Sequence, residues 1–218
     1  MAPADARLPS VSDRVAQYGQ AVHRRLVPHF ERAGVTYPPG AVVLVGIKSK
    51  KRLELYAGPT RDALRHVRTY SVMGVSGGPG PKLREGDRQV PEGIYAVTAL
   101  NPASRFHLSM RIGYPNRFDR WMARKDGRRD LGGDIYIHGG YFSQGCLAMG
   151  DAAAEELFVL AAETGLENVT VILTPVDLRR RPQAPVSASA PEWTPWLYDV
   201  LERALRRLAP PAFKPASN

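Results

Sequence analysis

Seven short runs of β-branched or alternating residues, all beyond Gly40, constrain this chain more than any other feature. They are Ala41–Ile47, Leu53–Ala57, His66–Met73, Gly93–Ala99, Phe106–Ile112, Asp134–His138 and Asn168–Leu173, separated by Gly, Pro and charged turns. Runs of this length and period read as strands. They predict a mainly antiparallel, sheet-rich core with flanking helices, an α+β fold. A chain of 218 residues that is 44% hydrophobic and 23% charged can fill one such core. Its longest apolar runs, such as Ala41–Gly46 and Leu157–Ala162, fall far short of the roughly 18 residues that span a bilayer. No transmembrane segment is expected.

Helical periodicity is confined to three places. Val11, Val15, Tyr18, Val22, Leu26 and Phe30 recur at three- and four-residue steps, predicting an amphipathic helix capped by Ser10 or Ser12 and ended at Gly34. His23 and His29, six apart, fall on different faces of it. A second helix is predicted over about Ala152–Thr164, with Asp151 as N-cap and Gly165 as stop. After the Pro/Ala/Ser-rich linker 182–191, a third near Pro195–Leu208 places Trp196, Val200, Ala204 and Leu208 on one stripe, which is expected to dock on the core. The organisation follows: residues 1–40 form an N-terminal helical segment, 41–178 the main domain, and 179–218 a linker with a C-terminal amphipathic helix. No repeat is visible at periods of 20–50 residues. Two long connections, Gly74–Glu92 and Tyr114–Gly133, are expected to be functional loops.

Thirty Lys and Arg against twenty-one Asp and Glu give a net charge of +9. Residues 41–177 nevertheless carry 18 basic and 15 acidic side chains, so much of the excess sits at the two ends and nucleic-acid binding is not expected. One cysteine excludes an internal disulfide. That cysteine stands in the most informative segment, Asp134-Ile-Tyr-Ile-His138-Gly139-Gly-Tyr-Phe-Ser143-Gln144-Gly145-Cys146-Leu-Ala-Met149. An alternating strand ends in His138, a glycine-bearing turn follows, and then the thiol. A polarised neighbour can activate a thiol, and an imidazole can take its proton and return it to a departing amine. Gly145 permits backbone angles that aim N–H groups at an oxyanion, with Cys146 N–H and a neighbouring amide as donors. The carbonyl of Gly139 or Gly140 can fix the imidazole tautomer. His138 and Cys146 lack the paired spacing of a zinc site, and Lys82, set between Pro81 and Leu83, does not fit a phosphate-binding loop. The expectation is a site without metal or cofactor.

The order His138-Gly139 … Ser143-x-Gly145-Cys146 resembles the signature of the L,D-transpeptidase (YkuD-type) catalytic domain. Three further stretches resemble its YafK-like branch: Gly78-Pro-Gly-Pro-Lys82-Leu-Arg-Glu-Gly-Asp87 with Val90-Pro-Glu-Gly-Ile-Tyr95, Phe106–Arg120, and Cys146–Met149 with Glu155-Glu156 behind it. The likeness covers roughly residues 41–178. It implies a β-sandwich-like core, Cys146 as nucleophile and His138 as base. It further implies peptidoglycan stem peptides as substrate, attacked at diaminopimelate through a thioester. The chain departs from the cross-linking enzymes in its shorter His-to-Cys loop, and in Gln144 and Ala148 where they carry His and Arg. Ala148 cannot clamp a carboxylate as Arg does.

The resulting expectation is a hydrolase, which would include release of a peptidoglycan-attached lipoprotein. Cross-linking by transpeptidation is the alternative, and a catalytically silent cell-wall-binding domain is a third. Ser143, Gln144, Lys82, Arg111, Asn116, Asp119 and Arg120 are the expected substrate contacts, Lys82 for a stem-peptide carboxylate. A basic surface would favour encounter with that acidic polymer. Met1–Ser10 lacks the charged start and apolar stretch of an export signal; because the substrate that the resemblance implies lies outside the cytoplasmic membrane, an envelope or periplasmic protein is expected whose signal is missing from this chain.

Overall fold

The computed structural model describes residues 7–181, 184, 186–187 and 189–211. Its elements are α1 (Val11–Ala33), β1 (Ala41–Ile47), β2 (Arg52–Gly58), β3 (Arg65–Ser71), β4 (Gly93–Ser104), β5 (His107–Ile112), α2 (Arg117–Lys125), β6 (Tyr136–His138), β7 (Leu147–Ala148), α3 (Asp151–Thr164), β8 (Val169–Thr174) and α4 (Thr194–Arg206). The strands form one sheet in the order β3-β2-β1-β8-β4-β5-β6-β7. Only β1–β8 and β6–β7 pair in parallel.

The twelve-residue β4 joins the two halves of this sheet. Its first residues pair with β8 and the remainder with β5, with register shifts after Val97 and Asn101. Such irregularities bend a strand, and the sheet curls until its halves face each other. A Cβ built on Gly46 of β1 would lie 3.5 Å from Leu147 Cδ2 of β7, across the core. The side chains between the halves, with Val22, Leu26 and Phe30 of α1 and Leu157 and Leu160 of α3, form the main core. A second core lies under α4, where Leu197, Leu201 and Leu205 cover Val43, Val45, Ile47 and Ile172. Strand β1 is therefore buried on both faces, which accounts for its unbroken apolar run.

Helix α1 is held at both ends as its sequence suggests. Ser10 Oγ accepts from Asp13 N–H while the Asp13 carboxylate accepts from Ser10 N–H, and Gly34 closes the helix at φ +64°. Three expectations need correction. Asp151 is the first residue of α3, not its cap, because its Oδ1 accepts from Gly140 N–H and Gly150 takes the cap position. Helix α4 docks as expected, with Leu208 buried and Ala204 packed against the same core, but its main contacts are Leu197, Tyr198, Leu201 and Leu205, and Trp196 is left exposed. The bulkier leucine stripe buries more apolar area than the one through Trp196 and Ala204. The connection 114–133 also contains a regular element, α2, started by a reciprocal Asn116–Asp119 capping box.

That box carries a pH signature. Burial outweighs the bonds from Asn116 N–H and Tyr95 hydroxyl and pushes the Asp119 carboxyl up to about 6. A carboxyl raised on folding stabilises most below its unfolded value and loses that contribution as pH climbs through the folded one. Stability is expected to fall by on the order of 1–3 kcal/mol between pH 4 and 7 on this account. Urea midpoints should show Asp119→Asn flattening that slope; an unchanged slope would contradict the assignment.

Candidate active site

Strands β6 and β7 are short, yet their pairing assembles the site. They run parallel with Ile137 opposite Leu147 and His138 opposite Ala148. Cys146, one residue ahead of β7, is thus level with Tyr136. Because side chains alternate along a strand, Ile137 and Leu147 enter the core while Tyr136, His138 and Cys146 share the other face. That face is the floor of a cleft of about 310 Å³, which Cys146, His138, Ser109, Phe106, Asp134 and Tyr136 help to line.

His138 is 3% exposed. Its Nδ1 lies 2.6 Å from Gly139 O. A carbonyl oxygen can only accept, so Nδ1 carries the proton and Nε2 is left as the basic nitrogen. The Phe106 ring leans on the imidazole at 4.7 Å between centroids. Burial depresses the imidazole below its ordinary value, the bond to Gly139 opposing in part. A Cβ on Gly139 would come within 2.6 Å of Asp151 Oδ1 and 2.8 Å of Phe106 O, so this position has no room for a side chain.

The thiol is half-buried. Sγ accepts from Tyr136 N–H at 3.4 Å and donates to Asp134 O at 3.6 Å. Burial raises its pKa; the Tyr136 N–H opposes this, Asp134 adds to it, and Lys82 opposes it weakly. Burial thus disfavours the charged form of each group, the thiolate of Cys146 and the imidazolium of His138. The turn before the thiol is braced from two sides. Ser143 Oγ donates to Cys146 O at 2.5 Å. Gly145, at φ +86°, donates its N–H to Ser76 Oγ at 2.6 Å, and that hydroxyl donates to Arg88 O. The Gly145 amide is therefore engaged. No hydrogen bond from Cys146 N–H is found among the described residues.

The other expected contacts separate into two groups. Arg111 sits at the cleft rim, paired with Asp134 at 3.2 Å, and Gln144 is exposed on the turn before the thiol. Lys82, Asn116, Asp119 and Arg120 are placed otherwise. The buried Lys82 Nζ is held by Asp87 at 2.7 Å and by Arg84 O and is not among the residues that line the cleft. Asn116 and Asp119 cap α2, and Arg120 lies on that helix's exposed side. The sequence reading missed Ser109, Phe106 and Tyr136. The period of two, counted from His138, reaches Tyr136; Ser109 needs the β5–β6 register, which sets it opposite His138. Among the described residues no three His, Cys, Asp or Glu side chains gather as a metal site would require.

A sheet curled around one core, with a thiol and a tautomer-fixed imidazole on adjacent parallel strands, defines a class of cysteine-bearing catalytic domain. The YkuD model, an L,D-transpeptidase catalytic domain, matches residues 40–176, and the chain belongs to that family. It is 35% identical over 122 residues to the "Putative L,D-transpeptidase YafK" of Escherichia coli K12, an alignment covering 55% of this chain and 47% of that one. The chain thus spans about half the length of the curated relatives it matches. Among solved structures, the helical cell shape determining protein Pgp2 from Campylobacter jejuni overlaps at 18% identity and TM-score 0.49, over 74% of this chain and 53% of that one. Bd1075 of Bdellovibrio bacteriovorus overlaps at 19% and 0.47, over 79% and 56%. Family membership rests on the match over 40–176.

Proposed function

We propose that the chain is a peptidoglycan-modifying cysteine enzyme that hydrolyses stem peptides at diaminopimelate. The observation that carries this reading is the cleft in which half-buried Cys146 and tautomer-fixed His138 stand together beside an unengaged Cys146 N–H. His138 Nε2 takes the thiol proton as Sγ attacks the carbonyl, and Cys146 N–H stabilises the oxyanion. The C–N bond then breaks, the departing amine takes the proton back from the imidazolium, and the acyl group stays on sulfur as a thioester. Water completes the turnover. Release of a peptidoglycan-attached lipoprotein is the same bond chemistry with a different amine. The substrate places the enzyme in the cell envelope, and among the described residues no helix is long and apolar enough to cross a membrane.

Hydrolysis is preferred over cross-linking because of position 148. Ala148 is fully buried, and its backbone exchanges hydrogen bonds with Gly74. An arginine clamp for an acceptor's carboxylate has no space there. The deciding measurement is digestion of lipoprotein-bearing and lipoprotein-free sacculi by wild type and Cys146→Ser, with muropeptides weighed by mass spectrometry. Thiol-dependent loss of diaminopimelate-linked amines is expected. New diaminopimelate–diaminopimelate links would replace hydrolysis by transpeptidation, and identical products from both proteins would remove the thiol from the chemistry.

The burial of the pair also sets a pH profile. With the imidazole held below its ordinary 6.5, the base stays neutral into mildly acid solution. The acid limb of kcat/KM on a muropeptide is expected below pH 6.5. A limb above pH 7 would contradict a desolvated His138 as the base.

A further inference from the structure

A cavity of about 790 Å³ lies outside the cleft, between α2 and the start of α4. All three tryptophans of the sequence line it: Trp121 from α2, and Trp193 and Trp196 from the other wall. Trp121 and Trp196 are 43% and 44% exposed and meet edge to face, centroids 5.8 Å apart. Neither is needed by a core: Met122 on α2 and Leu197 on α4 already fill that inward role. Two large indoles left facing solvent in one concave site mark a surface that something else covers.

The chemistry around them narrows the occupant. Trp193 Nε1–H donates to Asp126 Oδ2 at 2.9 Å, and Arg128 forks onto the same oxygen at 2.8 and 3.0 Å, so one indole and two charges are fixed in place. Lys125 Nζ stands 4.6 Å from the Trp121 ring centroid and the Arg128 guanidinium 5.9 Å from that of Trp193. Trp121 and Trp193 each already have one of the protein's own cations against the ring, which disfavours a cationic ligand, while no cation among the described residues is paired with Trp196. What remains is an apolar aromatic floor rimmed by Asp126, Arg128, Lys125 and Glu192, all able to hydrogen-bond. That combination suits a pyranose, whose C–H face carries the partial positive charge that the negative face of an indole attracts, and whose hydroxyl and acetamido groups point to the rim.

We infer that this cavity is a saccharide subsite, which holds a β-linked N-acetylhexosamine strand while the peptide attached to it reaches the cleft. The inference rests on the reading of peptidoglycan as substrate. The placement agrees with it. Leu83 lines the cavity and receives Arg128 Nη1–H on its carbonyl, while on either side of it in sequence Ser76 and Arg88 of the same connection brace the turn that carries Cys146. One loop thereby borders both sites.

The test uses the fact that no tryptophan lies elsewhere, so intrinsic fluorescence and the three indole Nε1–H resonances report on this cavity alone. Wild type and Cys146→Ser are titrated with tri-N-acetylglucosamine. Saturable fluorescence change with shifts of the Trp121 and Trp196 indole resonances is expected in both proteins, and about tenfold weaker binding in Trp121→Ala and Trp196→Ala. Following the resonances in the unsubstituted chain keeps the test valid if a variant folds poorly. No saturable response up to about 10 mM, or equal binding by folded variants, overturns the subsite. The readout does not require a working thiol. A chain that hydrolyses sacculi but ignores the trisaccharide refutes the subsite alone, and one that binds the trisaccharide with an inert thiol keeps it.

Discussion

Replacing His138 by alanine should slow acyl-enzyme formation on a stem-peptide substrate by about 10²–10⁴-fold, the range a positioned general base contributes. Cys146→Ser should abolish the thioester altogether. Burial favours the protonated form of the thiol, which lies between Tyr136 N–H and Asp134 O. In that form the thiol cannot attack at neutral pH unless something takes its proton during the reaction. His138 Nε2 is the basic nitrogen on the same face of the sheet. The trapped adduct is weighed intact after single-turnover mixing, alongside the melting curve of each variant. Adduct forming in His138→Ala at the wild-type rate would mean that the proton leaves by another route and that the imidazole merely fills the space beneath Phe106.

The second large effect concerns stability. Arg179, just beyond β8, is buried with its fork on Glu54 Oε2 at 2.8 Å and Asp177 Oδ1 at 2.7 Å, and also donates to the Tyr56 hydroxyl at 2.6 Å. Glu54 and Asp177 are themselves buried. Arg179→Met is expected to cost about 3–5 kcal/mol, because removing one partner of a buried pair strands the other charges in a poorly solvating interior. Arg179→Lys should fall between, since an ammonium keeps the charge but cannot span both carboxylates in a plane. Urea unfolding measures both. A loss below about 1 kcal/mol for Arg179→Met would show that Arg52, which also reaches Glu54 and Asp177, suffices without it.

How much of this could be read from sequence depended on how far apart the interacting residues lie. Ser10 and Asp13 are three apart, so the box that starts α1 is visible in four letters, and Gly34 marks its end equally well. Strand β1 falls where its apolar run does. The same local rule was present in Asn116-Arg-Phe-Asp119, but the arginine-rich segment around it obscured α2. Asn116 and Asp119, expected as substrate contacts, form the capping box of that helix. Lys82 shows the opposite difficulty. Asp87 stands five residues on, and nothing in the letters says that the loop folds back to bring the two within 2.7 Å.

What the sequence determined by itself is the identity of the candidate pair. With one cysteine in the chain there is no second candidate for the sulfur, and the strand ending in His138 eight residues before it supplies the imidazole. Tertiary structure alone decided the burial of both groups, the sharing of one face through a two-residue strand, the engagement of Gly145 N–H, and the meeting of three indoles from two distant segments. The physical reason is range. Capping and strand alternation are settled within a few residues by backbone geometry, whereas desolvation and parallel pairing depend on what the remote parts of the chain bring alongside.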